Sequence, residues 1–392
     1  MTQPAKSLLI LGTRSVPARH GGFETFAEQL ALFFVNRGWS VSVYCQDDVP
    51  VVEQRFKSET WRGVTRLRVQ VASNGARGTM EFDWHCVRDA ATREGVCLVL
   101  GYNTAIFLPY LRAHGRMVFT NMDGVEWRRP KWSKPVQAWF WLNEWIAAWS
   151  SHRLVADHPV IADHLATRRH RSATAVIPYG GVAIENAPRD PVIALGLEPG
   201  RYLVSIARIE PDNNIHTLVE AFSSRRRGAK LAILGALSED VAYHRKVRAA
   251  ASDEVMFPGP IYDPAVVGPL RFHARAYLHG HTVGGTNPSL VEALWAGNPV
   301  IADDNLYNRW TAGDAAAYFK DVATCSDAME HMLVDDALVE RCRAAARARA
   351  RAAFEWNDVL LAYERECLAL LEGKPRRVDT PWALGAEPAR PA

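Results

Sequence analysis

The stretch HTVGGTNPSLVEALWAGNPVIADD, residues 281–304, sets a glycine pair, a threonine and an asparagine before a helical run, with one glutamate inside it and a strand after it. Gly284 and Gly285 lack the side chains that would keep a ligand away from the backbone. Consecutive N–H groups of Gly285, Thr286, Asn287, Pro288, Ser289 and Leu290 (Pro288 excepted, which has none) can therefore face a sugar and its phosphate at the positive end of a helix. Pro288 suits the first helical turn, where its missing N–H costs nothing. Glu292 lies one turn further in, where a carboxylate can accept hydrogen bonds from ribose hydroxyls. The same glutamate would also serve simply to complement the helix dipole.

Three other places carry residue types suited to the same chemistry. In SIARIEPDNN, Arg208 follows an apolar run that ends a strand, and a guanidinium donates two parallel hydrogen bonds to a diphosphate. In ARHGGFET, Gly21 and Gly22 precede a helix and can admit a phosphate to its N-terminal N–H groups, or merely make a tight turn. In NMDGVEW, Asp123, Gly124 and Glu126 offer carboxylates at a strand-to-loop position, Asp123 being the candidate to position or activate an acceptor hydroxyl. An Asp-Gly turn accounts for that dipeptide equally well. No strand-to-helix junction supplies G-x-G-x-x-G, which disfavours a nicotinamide dehydrogenase.

The elements that must position these residues alternate. KSLLILGT, SVSVYCQ, TRLRVQVA, VCLVLGY, RMVFTNMDG, HRLVADH and TAVIPYGG are strand-like apolar runs in the first half. FETFAEQLALFFVNRG and MEFDWHCVRDAATREG between them have helical spacing. The second half repeats the scheme with RYLVSIARI, KLAILGAL, EVMFPGPI, RAYLHGHT and PVIADD as strands, then turns helical from 323 to 354. Such alternation predicts two doubly wound, Rossmann-like α/β domains facing a central cleft, with ligands beyond the carboxyl ends of the strands. The boundaries read from the chain are 1–183, a Pro- and Gly-bearing linker at 184–200, and 201–354. A last helix at 355–372 crosses back to the first domain, and a disordered tail occupies 373–392.

With 392 residues, 48% hydrophobic and 23% charged, the chain is long enough for two cores and too apolar for disorder. A net charge of +3 does not call for nucleic acid, and no run is long enough to span a membrane. The six cysteines are scattered and form no C-x-x-C pair, which predicts free thiols in a reducing cytoplasm. His279 and His281 have no third ligand at metal-binding spacing, so no metal is expected there. The segment WRRPKWSKPVQAWFWLNEWIAAWSSHR, 127–153, mixes tryptophans with a basic front end. It fits either a membrane interface or a helix packed through its tryptophans. The basic run RCRAAARARARAAF is the solvated face of a helix.

Together HTVGGTNPSLVEALWAGNPVIA, VSIARIEPDNNI, VIPYGGV and FEWNDVLLAYERECLALL resemble the GT-B glycosyltransferases of family 4. GTRSVPARHGGFETFAEQLA and TNMDGVEWRRPKWS resemble its bacterial polysaccharide branch, the rhamnosyltransferase-like proteins with an N-terminal domain of formerly unknown function. The likeness covers roughly residues 6–372. It implies a retaining, metal-independent hexosyltransferase without a cofactor, whose donor is a dTDP-, UDP- or GDP-linked sugar. The acceptor would be a glycan or glycolipid at the inner face of the cytoplasmic membrane.

By the same likeness Glu292 grips the ribose, Arg208 the diphosphate and the Gly285–Ser289 loop the donor sugar. Gly21 and Gly22 close over the phosphates, and Tyr179, in VIPYGGV, joins the donor site. The chain departs from the family at two places, having Gly284 where many members carry glutamate and Asn213 where many carry lysine. Those departures keep open a non-catalytic nucleotide-sugar-binding scaffold; a second rival is a GT-B nucleotide-sugar epimerase, for which the donor loop offers no acid or base.

Overall fold

A computed structural model describes residues 6–18, 21–47, 55–373 and Trp382; most of the tail expected at 373–392 lies outside the described residues. The chain divides into two compact units. One comprises residues 1–128, 132–178 and 357–392, and the other comprises residues 129–131 and 179–356. The stretch 184–200 belongs to the second unit and carries the short helix Asp190–Ala194.

The first unit is built on an eight-stranded sheet: β1 (Ser7–Leu11), β2 (Ser40–Asp47), β3 (Phe56–Trp61), β4 (Val64–Gln70), β5 (Val96–Leu100), β6 (Met117–Asn121), β7 (Arg153–Ala156) and β8 (Thr174–Val176). Their spatial order is β3-β4-β2-β1-β5-β6-β7-β8, and every pair except β3–β4 is parallel. Continuous apolar runs such as LLIL and VCL are buried because helices cover both faces of a parallel sheet. Strand order reverses at the β1/β5 seam. There Gly12 has a φ of +84°, and a Cβ would meet the Leu100 carbonyl oxygen at 2.3 Å, so only glycine lets the two strand ends come this close.

The edge strand β3 was not expected from the sequence. Its FKSETW leaves Lys57, Ser58 and Thr60 without an apolar alternation to read, and it exists because it pairs with β4 through a two-residue turn. Arg62 and Gly63 in that turn both have positive φ, the geometry that matches strand twist in tight hairpins. The helix Trp356–Leu371 belongs to this unit from Asn357 onward. Glu366 makes a two-pronged ion pair with Arg153, at 2.7 and 3.0 Å, with both side chains almost wholly buried. Glu364 accepts a bond from Trp39 Nε1 at 3.0 Å, so this helix is tied to the sheet by charge as well as by Tyr363 and Cys367.

The second unit carries β9 (Tyr202–Ile206), β10 (Lys230–Leu234), β11 (Val255–Met256), β12 (Ala276–His279), β13 (Val300–Asp303) and β14 (Ala316–Phe319), all parallel. Their order, β11-β10-β9-β12-β13-β14, is that of the complete doubly wound dinucleotide-binding sheet, with its crevice between β9 and β12. Alternate residues feed opposite faces. Leu203, Leu231, Ile233 and Leu278 join the core under the helices Ile215–Ser223 and Val322–Val334, while Tyr202, Val204, Leu234 and Tyr277 join the core of the other face.

The long helical stretch expected at 323–354 is two helices, Val322–Val334 and Asp336–Ala353. Asp335 breaks the run by turning extended and capping the second helix through Leu338 N–H. All six cysteines are buried and unpaired. No described helix is long and apolar enough to cross a membrane.

Candidate functional site

In the second unit the loops after β9 and β12 meet at the crevice where strand order reverses, and they are stapled to each other. Gly280 has the Asn213 carbonyl so near that a Cβ would sit 2.5 Å from its oxygen. Both the N–H and the hydroxyl of Thr282 donate to the Asp212 carbonyl, at 2.9 and 3.1 Å. From the start of the helix Leu306–Ala312, which follows β13, the amides of Asn305 and Asn308 each donate to the His281 carbonyl at 2.9 Å. The loop that carries Gly284–Asn287 is thus anchored at its base on two sides.

Gly284 itself has φ +134°, a conformation that side-chain-bearing residues rarely adopt, and open space where a Cβ would be. The backbone therefore explains the glycine: a glutamate at this position would require a different loop path. Asn287 caps the helix Pro288–Trp295 by accepting from Ser289 N–H at 3.0 Å, with Pro288 at the first helical position as its φ favours. Thr286 is buried. Leu290 is buried as well and donates its N–H to the Asn287 carbonyl at 3.1 Å, so it belongs to the core and the helix start and not to a ligand contact.

Glu292 does not stand alone. Its Oε2 is 2.6 Å from Nη2 of Arg271, a buried arginine of the helix Pro264–Phe272, and the Glu292 side chain keeps 37% of its surface. Arg271 Nη2 also donates to Ser289 Oγ at 3.2 Å. Ser289 donates to the Ile206 carbonyl at 3.0 Å and lies 2.7 Å from the Tyr277 hydroxyl. Asn298 fixes the Arg271 backbone by donating to its carbonyl at 2.7 Å. One carboxylate oxygen is therefore held while the carboxylate stays accessible. Arg271, absent from the sequence-derived candidates, had one signal there: a lone cation within the apolar VVGPLRF.

Arg208 follows β9 as expected, but its side chain is 71% exposed and sits 3.2 Å from Glu210. Glu210 also accepts from Lys131 at 3.2 Å. Asn213 is buried and spends its amide on the Arg208 carbonyl at 2.7 Å, so it shapes the turn that presents Arg208. His281 and His279 stack face to face, centroids 4.2 Å apart and planes within 8°. Burial pushes His281 down to about 3, with Arg129 and Arg208 adding to the shift, and burial likewise pushes His279 far down. Both imidazoles are thus neutral at the mouth of β12. Tyr179, in this same unit, packs edge-on against Trp356, centroids 4.9 Å apart.

In the first unit, Asp123 follows β6 in the left-handed conformation, φ +54°, with its N–H donating to Asn121 Oδ1 at 3.0 Å. Asn121 is held in turn by donating to the Tyr363 hydroxyl. Tyr102 pins the rest of the loop, donating to the Gly124 carbonyl at 3.1 Å and accepting from Glu126 N–H at 2.9 Å. Glu126 also accepts from Trp132 Nε1 at 3.3 Å. Gly21, with φ +125°, precedes the helix Gly22–Asn36, and among the described residues nothing lies within 4 Å of its Cβ position.

Two parallel-sheet units with these crevices are the GT-B architecture. Residues 5–182 match the domain of unknown function DUF1972, and residues 194–349 match the glycosyl transferases group 1 model. The chain thus carries a DUF1972 domain followed by a glycosyl transferases group 1 domain, a GT-B, family-4-like pairing. No curated protein matches it in sequence.

Its fold is shared with solved structures of low identity. Sucrose-phosphate synthase from Thermosynechococcus elongatus superposes with a TM-score of 0.78 at 16% identity, over 94% of this chain and 100% of the other. An α,α-trehalose-phosphate synthase (UDP-forming) from Burkholderia xenovorans, in complex with glucose-6-phosphate, gives 0.72 at 12%, over 93% and 100%. Anabaena HepE in complex with UDP and glucose gives 0.72 at 14%, over 92% and 98%.

Proposed function

We propose that the protein is a retaining glycosyltransferase that moves rhamnose or another hexose from a nucleoside-diphosphate sugar to a growing, lipid-linked polysaccharide. The observation that carries the donor half is the Arg271–Glu292 pair at the β9/β12 crevice. A carboxylate with one oxygen fixed and surface to spare is suited to accept from two vicinal ribose hydroxyls. HepE, bound to UDP and glucose, and the UDP-forming trehalose-phosphate synthase make a uridine-linked sugar the first donor to try.

The exposed Arg208 guanidinium and the backbone N–H groups of the Gly285–Asn287 loop supply positive potential for the departing diphosphate, whose charge grows as the glycosidic bond breaks. Neutral His279 and His281 add no charge there. Asp123, held in a left-handed turn by Asn121, is the candidate to orient the acceptor hydroxyl. The proton of that hydroxyl passes to a side chain or to the leaving phosphate.

The helix Lys134–Ser150 supports contact with a lipid surface, with Trp141 and Trp149 exposed on it beside Leu142. Incubation with UDP-, dTDP- and GDP-sugars, with and without a lipid-linked glycan, tests the reading. Release of nucleoside diphosphate only when the acceptor is present supports transfer. Donor binding without consumption by any acceptor would favour the non-catalytic scaffold, and conversion of one nucleotide sugar into another would favour an epimerase.

A further inference from the structure

The first unit holds a cavity of about 220 Å³ at the carboxyl ends of β1 and β5, in the crevice where its own strand order reverses. Its walls come from the loop after β1, the loop after β5 and the helix Gly75–Ala90, and they include neither Asp123 nor Glu126. From that helix Asp83 reaches the cavity with its carboxylate enclosed by protein yet with part of its surface open. Thr104 donates to Asp83 Oδ2 at 2.7 Å, which leaves Oδ1 for a further donor. Thr13, on the opposite loop, is buried, and its hydroxyl has no hydrogen-bond partner among the described residues. Asn103 and Arg14, both exposed, line the same cavity.

An enclosed carboxylate and an unmatched hydroxyl are costly to a chain unless something pairs with them. The cavity is smaller than the roughly 300–1,000 Å³ that drug-sized ligands occupy, and it suits a single ring. A carboxylate at its wall repels phosphate but accepts readily from alcohol O–H groups, while Asn and Thr both donate and accept. We infer that this cavity binds one neutral sugar ring of the acceptor, with Asp83 Oδ1 accepting from a ring hydroxyl and Thr13 completing the recognition. The inference rests on the transferase reading above and deepens it by naming the ring-binding residues of the acceptor side.

Saturation-transfer NMR with the methyl glycosides of glucose, galactose, mannose, rhamnose and N-acetylglucosamine tests it, with inorganic phosphate as the anionic control. Asp83→Asn keeps the Thr104 bond and the shape, and Thr13→Val keeps the volume, so both variants should fold. At least one glycoside should give a saturable signal, weakened tenfold or more in each variant, with UDP affinity unchanged and phosphate without effect. Wild-type affinity in both variants, no glycoside binding, or displacement by phosphate would overturn the assignment. Acceptor-dependent nucleotide release without Asp83-dependent glycoside binding would sink the cavity and leave the transferase standing. The converse pattern would do the reverse.

Discussion

Arg271 and Glu292 meet at 2.6 Å on neighbouring helices of the second unit, the arginine buried and the glutamate still in reach of solvent. This relationship turns an ordinary helix glutamate, one turn past the helix start, into a positioned one. Removing the arginine should therefore damage ligand binding even though Arg271 is too enclosed to be the main contact. Arg271→Met is expected to weaken UDP binding about tenfold, the order of one charged hydrogen bond. Calorimetry that finds unchanged affinity, with the fold intact, would show that the pair is structural only.

Gly284 makes a backbone prediction. At φ +134° with empty space around the Cβ position, Gly284→Ala should cost about 1–3 kcal/mol of strain rather than of crowding. Calorimetric melting should show the transition of this unit lowered by several degrees. Gly284→Glu should be no better a transferase than Gly284→Ala, because the loop does not offer the carboxylate a normal conformation. A gain of activity on installing the glutamate would contradict this.

Asp83 gives a pH dependence whose sign is fixed. Burial raises its carboxyl to about 6, against which the Thr104 bond and then Arg14 act. The folded chain thus binds this proton more tightly than the unfolded chain does. Its stabilising effect is complete below about pH 4 and is lost as pH rises through 6. Asp83→Asn should match wild type at pH 4 and exceed it near pH 7.5, by on the order of 2–3 kcal/mol at most. Equal differences in melting temperature at the two pH values would remove the carboxylate from the account.

Exposure re-sorts the tryptophans. Trp139 donates to the Asn103 carbonyl at 2.9 Å and Trp145 meets Trp141 edge-on and lies under the Arg168 guanidinium, whereas Trp149 is 65% exposed. Flotation with anionic liposomes should lose the protein on joint Trp141→Ala and Trp149→Ala substitution, and keep it on Trp139→Phe. The opposite result would place the lipid contact elsewhere.

Much of this was legible in the chain because burial on both faces writes parallel strands as plain apolar runs, as in β1, β5 and β9. Asn287 and Pro288 announced a helix start by chemistry that acts within three residues. β3 was hidden because only pairing with β4 makes it a strand. The break at Asp335 was masked by good helix formers on either side. The Arg271–Glu292 pair and the Asp83–Thr104 bond join residues 21 positions apart, so their meeting depends on how the helices and loops pack and not on local spacing. Arg208 was found by position, but its exposure and its Glu210 partner were visible only in three dimensions.

The central claim is that Glu292 grips the donor nucleotide, and titration of UDP, dTDP and GDP into wild type and Glu292→Ala by calorimetry tests it most directly. The account predicts that at least one nucleotide binds wild type and that its affinity falls ten- to a hundredfold in the variant, the range expected for bonds to a charged group. Equal affinity of the two proteins for every nucleotide that binds, with the same melting profile, would contradict it.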